Sequence, residues 1–392
     1  MNRVLELRCG SVDYFGIGAI NRFGHIMEQY RKRGIRRVGI VTGRSSYRLS
    51  GAWRVVKPVI EEKHIEYLHF DAITPNPTVD QIDEAVHLLK EIEPQLIIGI
   101  GGGSSLDASK VVAVLLRNRG ITARDIYTGR FTPFEALPIL SINLTHGTGS
   151  EVDRYAVATI PEERDKSGAA ADCMYPEYAI DDPELMLSLP DKEVLYTSLD
   201  ALNHLVEAAT TKLSSPYTVM LAKEGIALIH KWLPHAIEDR QDIEARYWLL
   251  YASILGGIAI DCAVVHITHP LEHTLSAFRP GLEHGLGLTI LLPAVIKVIY
   301  PAVAETLSGI LRPITGTLKG TPDEAEGIAQ SLREWIESLG VSQRLRDVGF
   351  TDDDIPELVR YVRRSQGESG SLSLAPVKVT DEMIREIYRE SL

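Results

Sequence analysis

Histidine is concentrated in one part of the sequence. Four of the 12 histidines fall within one short segment of the second half: His266, His269, His273 and His284. Upstream, Asp200 and His204 are four residues apart, a spacing that places a carboxylate and an imidazole on one face of a helix. Imidazole and carboxylate groups of this kind are typical metal ligands.

His269 and His273 repeat the four-residue spacing, and Pro270 predicts that they lie near the start of a helix. Three neutral imidazoles and one carboxylate suit a borderline divalent metal such as Fe²⁺ or Zn²⁺ and leave one position open for a substrate. The clustering therefore favours a metal site. His266 fits neither spacing and is interpreted as structural.

A glycine-rich segment of the first half could hold a phosphate group. Gln95–Ile100 is an apolar run typical of a strand, and GGGSSLDASK, Gly101–Lys110, follows it. Glycines let backbone N–H groups approach an anion, and a helix N-terminus favours negative charge. The segment matches neither the G-x-G-x-x-G fingerprint nor a Walker loop, so a phosphate cradle and a structural turn both stay open. The same holds for a second loop, Ser141–Glu151, which also follows a buried strand.

Strand-like and helix-like runs alternate in the first half of the chain. The predicted strands are Arg37–Thr42, Glu66–Phe70, Gln95–Ile100 and Leu137–Leu144. The predicted helices are Ala52–Lys63, a helix from the N-cap Thr78 to about Glu91, and Leu106–Arg117. Continuous apolar strands indicate a parallel sheet covered by helices, and such sheets bind ligands beyond the carboxyl ends of their strands. Both loops would lie at that edge.

After about Pro190 the pattern becomes helical. The predicted helices are Val194–Leu213, Pro216–Lys231, Ile243–Val265, Gly285–Val298, Ser331–Leu339 and two more that begin near Asp352 and Thr380. The turn Asp181–Pro190 is the expected boundary between an α/β half and an all-helical half.

Composition excludes several classes of protein. The 392 residues carry a formal net charge of −12, which disfavours binding to nucleic acid or to an anionic membrane. The apolar stretches Leu249–Ile260 and Leu286–Ile299 are too short or too interrupted to span a bilayer. Three widely spaced cysteines form no CxxC pair and are expected to be buried free thiols, so we expect a cytoplasmic protein.

Six motifs in order resemble the iron-containing (group III) alcohol dehydrogenase family, in its butanol-dehydrogenase-like branch. They are Pro75–Thr78, Gly101–Lys110, Gly147–Glu151, Asp182–Leu185, Asp200–His204, and His269-x3-His273 with His284-Gly285. The resemblance implies the dehydroquinate synthase-like fold of these enzymes. An α/β dinucleotide-binding domain would span residues 1–185 and an all-α metal-binding domain residues 186–392.

The resemblance also implies a set of site residues. The metal ligands would be Asp200, His204, His269 and His284, whereas His273 would lie near the nicotinamide and the substrate as the catalytic residue. The implied coenzyme-binding residues are Gly101, Gly102, Gly103, Ser104 and Ser105 for the pyrophosphate, with Asp107 nearby, and Asn76, Thr145, Thr148 and Lys166 elsewhere.

The chain departs from the family pattern at three places. Where NAD-preferring members carry an acidic residue after the second strand, this chain has Gly43, Arg44, Ser45 and Ser46. With no carboxylate to repel a 2′-phosphate and Arg44 available to bind it, NADP(H) is favoured over NAD(H). The gap between His269 and His284 is one residue longer than usual, so the assignment of His284 rests on the glycine that follows. His146 replaces a small residue beside the expected nicotinamide position.

The predicted function is metal-dependent hydride transfer between a nicotinamide and a primary alcohol or aldehyde, in a homodimer or larger homo-oligomer. A polyol or glycerol-type dehydrogenase on the same scaffold is the alternative, and a dehydroquinate-synthase-like cyclase is disfavoured by the motifs. A non-catalytic nucleotide-binding protein is disfavoured because all four expected ligands are present.

Overall fold

The structure is a computed structural model that describes residues 4–366 and 370–392. Its strands are β1 (Val12–Phe15), β2 (Arg37–Gly43), β3 (Glu66–Ile73), β4 (Leu96–Gly101), β5 (Ile139–Asn143), β6 (Tyr155–Ile160), β7 (Asp165–Ala170) and β8 (Tyr178–Asp181). Six of them form one sheet in the order β1-β8-β5-β4-β2-β3, and every pairing within it is parallel. The predicted parallel sheet is confirmed.

The helices lie between the strands in the first half and follow one another in the second. They are α1 (Phe23–Lys32), α2 (Ser46–Leu49), α3 (Ala52–Glu62), α4 (Val79–Leu89), α5 (Gly103–Arg117), α6 (Ala123–Tyr127), α7 (Asp191–Thr210), α8 (Pro216–Glu238), α9 (Ile243–Ala263), α10 (Thr268–Phe278), α11 (His284–Ile310), α12 (Arg312–Thr315), α13 (Ala325–Ser338), α14 (Ile355–Gln366) and α15 (Asp381–Ser391). Thr78 caps α4 with Gln81 in the predicted capping box.

Two apolar clusters cover the two faces of the sheet, and a third, larger cluster fills the helical half. Helices α9 and α11 run through that third cluster, and both are long and apolar enough to cross a membrane by length and composition. Their apolar windows are 67% and 72% buried inside the protein, as expected for central helices of a packed domain. The sequence-based expectation of shorter, interrupted segments was wrong, because Pro293 and Lys297 do not end α11.

Two further expectations need correction. The antiparallel hairpin of β6 and β7 was not predicted; it projects from the parallel sheet and packs against α10. The three cysteines are free, as expected, but Cys9 is exposed and the other two are only partly buried. Through Lys166 on β7, the hairpin contacts Glu272 and His284 of the histidine cluster.

Candidate active site

One carboxylate oxygen lies at the centre of the histidine cluster. Asp200 Oδ1, on α7, is 3.5 Å from His204 Nε2, 3.5 Å from His269 Nε2 and 3.9 Å from His284 Nε2. These side chains come from three helices, since His269 lies in the first turn of α10 and His284 is the first residue of α11. The four expected ligands are therefore brought together at one point.

The spacing of these atoms fits a metal ion better than hydrogen bonding. In the described part of the chain, the buried atoms Asp200 Oδ1 and His269 Nε2 have no hydrogen-bond partner. Ligand atoms about 2.1 Å from a tetrahedral ion are about 3.4 Å from one another, close to the observed separations. One donor atom each of Asp200, His269 and His284 lies within a common 4.8 Å. The donor set, one carboxylate and three imidazoles, suits Fe²⁺ or Zn²⁺.

The other ring nitrogen of each of these histidines is held by an acceptor. His204 Nδ1 is 3.3 Å from the carbonyl oxygen of Gly147, in the loop after β5. His269 Nδ1 hydrogen-bonds to Glu207 Oε2, and His284 Nδ1 hydrogen-bonds to Glu272 Oε2. An acceptor at Nδ1 fixes the proton there and leaves the Nε2 lone pair free, which is how second carboxylates orient metal-binding imidazoles.

Glu207 also fixes the position of α10. Its Oε1 accepts the backbone N–H groups of His266, Ile267 and Thr268 at 2.9, 2.7 and 2.9 Å. Burial alone would raise the pKa of Glu207, but attraction to His269 and these hydrogen bonds hold it well below its ordinary value. An anion that caps a helix N-terminus in this way is stabilised by the helix dipole, so His269 is presented on a rigid turn.

The buried carboxylates of the site carry more negative charge than the neighbouring lysine balances. Among the described residues, Lys166 is the lysine or arginine within 4.0 Å of the carboxylates of Asp200, Glu207 and Glu272, so metal-bound, neutral imidazoles would leave two negative charges for a divalent ion to balance. Burial lowers the pKa of His269, but the carboxylates of Glu207 and Asp200 outweigh it and raise that pKa to about 9. The carboxylates thus favour positive charge between them.

Gly285 explains why His284 can reach the cluster. A Cβ atom at this position would lie 2.1 Å from the backbone oxygen of Tyr196 on α7, so only glycine permits this approach of α11. The close approach places the first residue of α11 beside Asp200. Steric contact with α7 therefore explains why glycine follows His284. The longer gap after His269 lies before α11, which begins at His284.

The expected coenzyme residues lie at the carboxyl edge of the sheet. Gly101 ends β4 and Gly103 begins α5, whose N-terminus includes Ser104 and Ser105. Cβ atoms at Gly102 and Gly103 would lie 2.7 Å from Thr145 Cγ2 and 2.5 Å from Thr148 Cγ2, so the two loops lie against each other. Backbone N–H groups at a helix N-terminus without Cβ obstruction form an anion-binding site.

The remaining expected coenzyme residues follow the neighbouring strands. Gly43 ends β2, Arg44 and Ser45 are exposed, and Ser46 begins α2. Asn76 lies in the loop after β3 with a φ of 53° and donates to the carbonyl of Pro280 at 3.5 Å. The carboxyl ends of β2, β3, β4 and β5 thus supply one continuous edge.

Three of the singled-out residues make contacts that the sequence did not predict. Both oxygens of Asp107 accept protein hydrogen bonds, from Ser150 Oγ at 2.5 Å and from the N–H of Val157 at 2.8 Å. Lys166, on β7, contacts Glu272 and His284 within the histidine cluster. His146 is fully buried, 3.1 Å from Ser198 Oγ and 3.3 Å from Arg246 Nη1, so it packs beneath the loop.

His273 lies beside the four expected ligands. Its ring is 5.4 Å from that of His284 and 6.1 Å from that of His269, centroid to centroid. Burial, followed by repulsion from Lys166 and His284, lowers the pKa of His273 well below its ordinary value, so its imidazole is neutral. The ring is therefore a weaker base than a solvated histidine, and it is suited to relaying a proton and not to retaining one.

Glu207 and Glu272 were missed in the sequence. Glu207 lies seven residues after Asp200 and three after His204, so all three share one face of α7. Glu272 lies within the His269-x3-His273 motif itself. The helical spacing of acids relative to the histidines is the signal that could have found both.

Family models match most of the chain. The model described as "Iron-containing alcohol dehydrogenase" matches residues 13–183, and that described as "Fe-containing alcohol dehydrogenase family, C-terminal" matches residues 194–392. The resemblance that the six motifs indicate is therefore confirmed, and with it the two-part fold class.

Individual relatives agree with the family models. The chain is 51% identical to long-chain primary alcohol dehydrogenase AdhA of Thermoanaerobacter ethanolicus, over 100% of this chain and 98% of the relative. It is 29% identical to NADH-dependent butanol dehydrogenase A of Clostridium acetobutylicum, over 96% and 97%. The crystal structure of NADH-dependent butanol dehydrogenase A from Thermotoga maritima has a TM-score of 0.89 at 26% identity and covers 99% of this chain and 98% of that one. This chain belongs to the iron-containing alcohol dehydrogenase family and is an oxidoreductase that acts on alcohols.

Proposed function

We propose that the enzyme interconverts primary alcohols and aldehydes with NADP(H) in preference to NAD(H), and that Asp200, His204, His269 and His284 hold its divalent metal. The observation that carries the metal assignment is the convergence of three imidazole Nε2 atoms on Asp200 Oδ1. When bound, the metal supplies Lewis acidity and the nicotinamide exchanges the hydride. The chain's own residues bind, orient and move the proton.

The nucleotide occupies the carboxyl edge of the sheet in this proposal. The N-terminus of α5, with Gly101 to Ser105, holds the pyrophosphate, and the loop of Thr145 and Thr148 lines the same groove. Asn76 lies in the loop after β3, which is separated from β4 by β2. The histidine cluster contains a ring nitrogen held by Gly147 of this same loop, so the nucleotide edge and the metal ligands are in direct contact.

His273 takes the proton of the substrate hydroxyl. Alcohol oxidation removes a hydride from carbon, which a bound nicotinamide would take up, and a proton from oxygen. His273 is only partly buried and lies between the cluster and solvent, and because its lowered pKa disfavours a lasting imidazolium, the ring passes the proton on to solvent. In aldehyde reduction the same group returns it.

The preference for NADP(H) rests on the turn after β2. Gly43, Arg44, Ser45 and Ser46 contain no carboxylate, and the exposed guanidinium of Arg44 has two neighbouring hydroxyl groups. The nearby carboxylate of Asp71 is 3.8 Å from Arg48 and so is opposed by a cation. A 2′-phosphate would meet attraction here without repulsion from an acid within the turn.

The relative at 51% identity is named for long-chain primary alcohols, which supports an unbranched primary alcohol as the substrate class.

Self-association is also part of the proposal. β1 forms one edge of the sheet, and Val4, Leu7 and Val12 on and before it are 97%, 59% and 53% exposed. An apolar sheet edge of this kind is suited to pairing with a second copy, which light scattering would detect as a dimer or larger oligomer.

The test is NADPH oxidation with butanal and with a longer aldehyde, in protein purified without oxygen and supplied with Fe²⁺ or Zn²⁺. We expect turnover that a chelator abolishes and that is at least tenfold more efficient with NADPH than with NADH.

Arg44→Ala should lower kcat/KM for NADPH about tenfold and leave kcat/KM for NADH unchanged. Faster turnover with NADH would contradict the coenzyme assignment, and unchanged turnover after complete metal removal would contradict the metal site. His273→Ala with an unaltered pH profile would contradict the proton role.

A further inference from the structure

Lys166 has a place in the site that coenzyme binding does not explain. Its ammonium group is 3.4 Å from Glu272 Oε2 and 3.3 Å from His284 Nδ1, and the side chain is only 5% exposed. The same Oε2 atom also accepts the hydrogen bond of His284 Nδ1. Because Oε2 accepts from both groups, the position of the lysine and that of the imidazole are fixed by one atom.

The Glu272 carboxylate has little freedom to turn. Its Oε1 accepts the hydroxyl hydrogen bond of Ser276, one turn further along α10. A Cβ atom at Gly287 would lie 2.8 Å from Glu272 Cγ, so α11 packs directly against the side chain. The carboxylate is therefore held on three sides, by Ser276, by α11 and by Lys166.

The equivalent acid on the other side of the cluster is held differently. Glu207 is fixed by backbone N–H groups of the helical half alone, and its imidazole, His269, is 5% exposed. His284, the imidazole that Glu272 orients, is 25% exposed. The more exposed ligand thus depends on a lysine that β7 contributes from the first half of the chain.

We propose that Lys166 is a positioning residue that holds His284 in its metal-binding orientation through Glu272, so that the β6–β7 hairpin sets how tightly the metal is retained. The inference rests on the proposed metal site and deepens it. In the described residues, Glu272 is the carboxylate within 4.0 Å of Lys166, and removal of the ammonium leaves its buried charge without a cation. Glu272 would then turn away from His284, and the His284 ring would lose its fixed orientation.

The test measures metal release in the absence of nucleotide, with Lys166→Met, Lys166→Arg and Glu272→Gln compared with the wild type. Zn²⁺-loaded enzyme is mixed with a chromophoric chelator, and Co²⁺-loaded enzyme gives the d–d absorption spectrum. Lys297→Met is the matched control. Like Lys166, Lys297 forms ion pairs with carboxylates, in its case Glu326 and Glu390 of the helical half. Circular dichroism and melting temperature confirm that each variant is folded.

We expect Lys166→Met to release Zn²⁺ about tenfold faster and Glu272→Gln about 10- to 100-fold faster, with Co²⁺ spectra changed in the same way. Lys166→Arg should recover most of the wild-type retention, and Lys297→Met should equal the wild type. In the Glu272→Gln background, Lys166→Met should add no further effect, because both act through one carboxylate.

Two results would overturn the inference. Wild-type metal retention in Lys166→Met, with only a raised KM for the coenzyme, would make the lysine a coenzyme ligand. Additive effects in the double variant would show that Lys166 acts without Glu272. A wild-type protein that retains no Zn²⁺ contradicts the proposed function itself, and the inference falls with it.

Discussion

Two groups of buried carboxylates in this protein differ in their charge. Asp200, Glu207 and Glu272 lie among imidazoles, and each has a pKa held well below its ordinary value although burial acts to raise it. Asp13, Glu151 and Asp181 lie where β1, β8 and the loop after β5 meet, and the pKa of each is raised. Apart from the half-buried Asp13, burial is comparable in the two groups, so the surroundings decide the charge.

The difference lies in hydrogen-bond donors and cations. Glu207 accepts three short backbone N–H bonds, whereas neither oxygen of Glu151 has a partner among the described residues. Among the described residues, Asp181 accepts a hydrogen bond from Asn143 Nδ2 at 2.8 Å, and it is repelled by Glu151 and Asp13. A buried acid stays ionised only where donors or cations replace its water. The first group can therefore bind a cation, whereas ionisation of the second group is disfavoured.

The largest effect is expected when Asp200, the carboxylate that three imidazoles of the first group approach, is replaced. Asp200→Asn keeps the size of the side chain and removes the charge on which three imidazoles converge. We expect loss of metal and a fall in kcat/KM of about 10³-fold or more, since Lewis acid stabilisation is worth several kcal/mol. Metal content by mass spectrometry and steady-state rates provide the measurement. Full metal occupancy at full rate would show that Asp200 is not a ligand.

Glu207→Gln tests the role of the backbone N–H groups that hold the Glu207 carboxylate. The amide places an NH₂ group among backbone N–H donors, so we expect Zn²⁺ affinity to fall about 10- to 100-fold. The metal-free protein should also melt about 5 °C lower. Glu272→Gln, whose carboxylate accepts no backbone N–H group in the described residues, serves as the control and should lower affinity with a smaller change in melting temperature. Equal melting losses in both variants would contradict the distinction between the two acids.

Glu151→Gln tests the second group through pH. Burial, with repulsion from Asp13 and Asp153, raises the pKa of Glu151 to about 8, against about 4.3 in an unfolded chain. The folded state keeps a proton that the unfolded state has lost, so the free energy of unfolding falls as the pH rises from about 4.5 to about 8. Glutamine has no such proton. The variant should match the wild type at about pH 5 and melt about 2–4 °C higher at about pH 8.5.

The smallest effect is expected for Asp13→Asn. Burial raises the pKa of Asp13 to about 6, so its destabilising window extends only from about pH 4 to about 6. Above that window the variant should melt about 1–2 °C higher than the wild type, and at pH 4 the two should coincide. Thermal melts across this range measure both. A lower melting temperature at every pH would mean that Asp13 is ionised and satisfied.

The sequence was most informative where a local pattern determines local structure. Apolar runs before glycines located β4 and β5, the capping box located the start of α4, and the Asp200-x3-His204 spacing placed two expected ligands on one helix face. Each of these depends on neighbours within a few residues. The parallel sheet then brought the coenzyme loops to one edge by topology alone.

Long-range packing could not be predicted in the same way. The spacing of Glu207 and Glu272 relative to the histidines places them on the same helix faces, but the sequence does not show whether such a face meets solvent or another helix. The buried contacts of His146 with Arg246 and Ser198, which are far away in sequence, were not predicted. The contacts of Lys166 with the histidine cluster depend on the β6–β7 hairpin, which was not predicted either.

The capping of α10 by Glu207 has a consequence for how the enzyme acquires its metal. Since backbone N–H groups of the helical half hold Glu207, the turn that presents His269 is built by the fold and needs no ion to form. Metal loading is then a ligand-exchange event on a finished protein, distinct from metal-coupled folding. An enzyme stripped by a chelator should regain its ion without refolding, and cells could exchange Fe²⁺ for Zn²⁺ in the mature enzyme as their supply of metals changes.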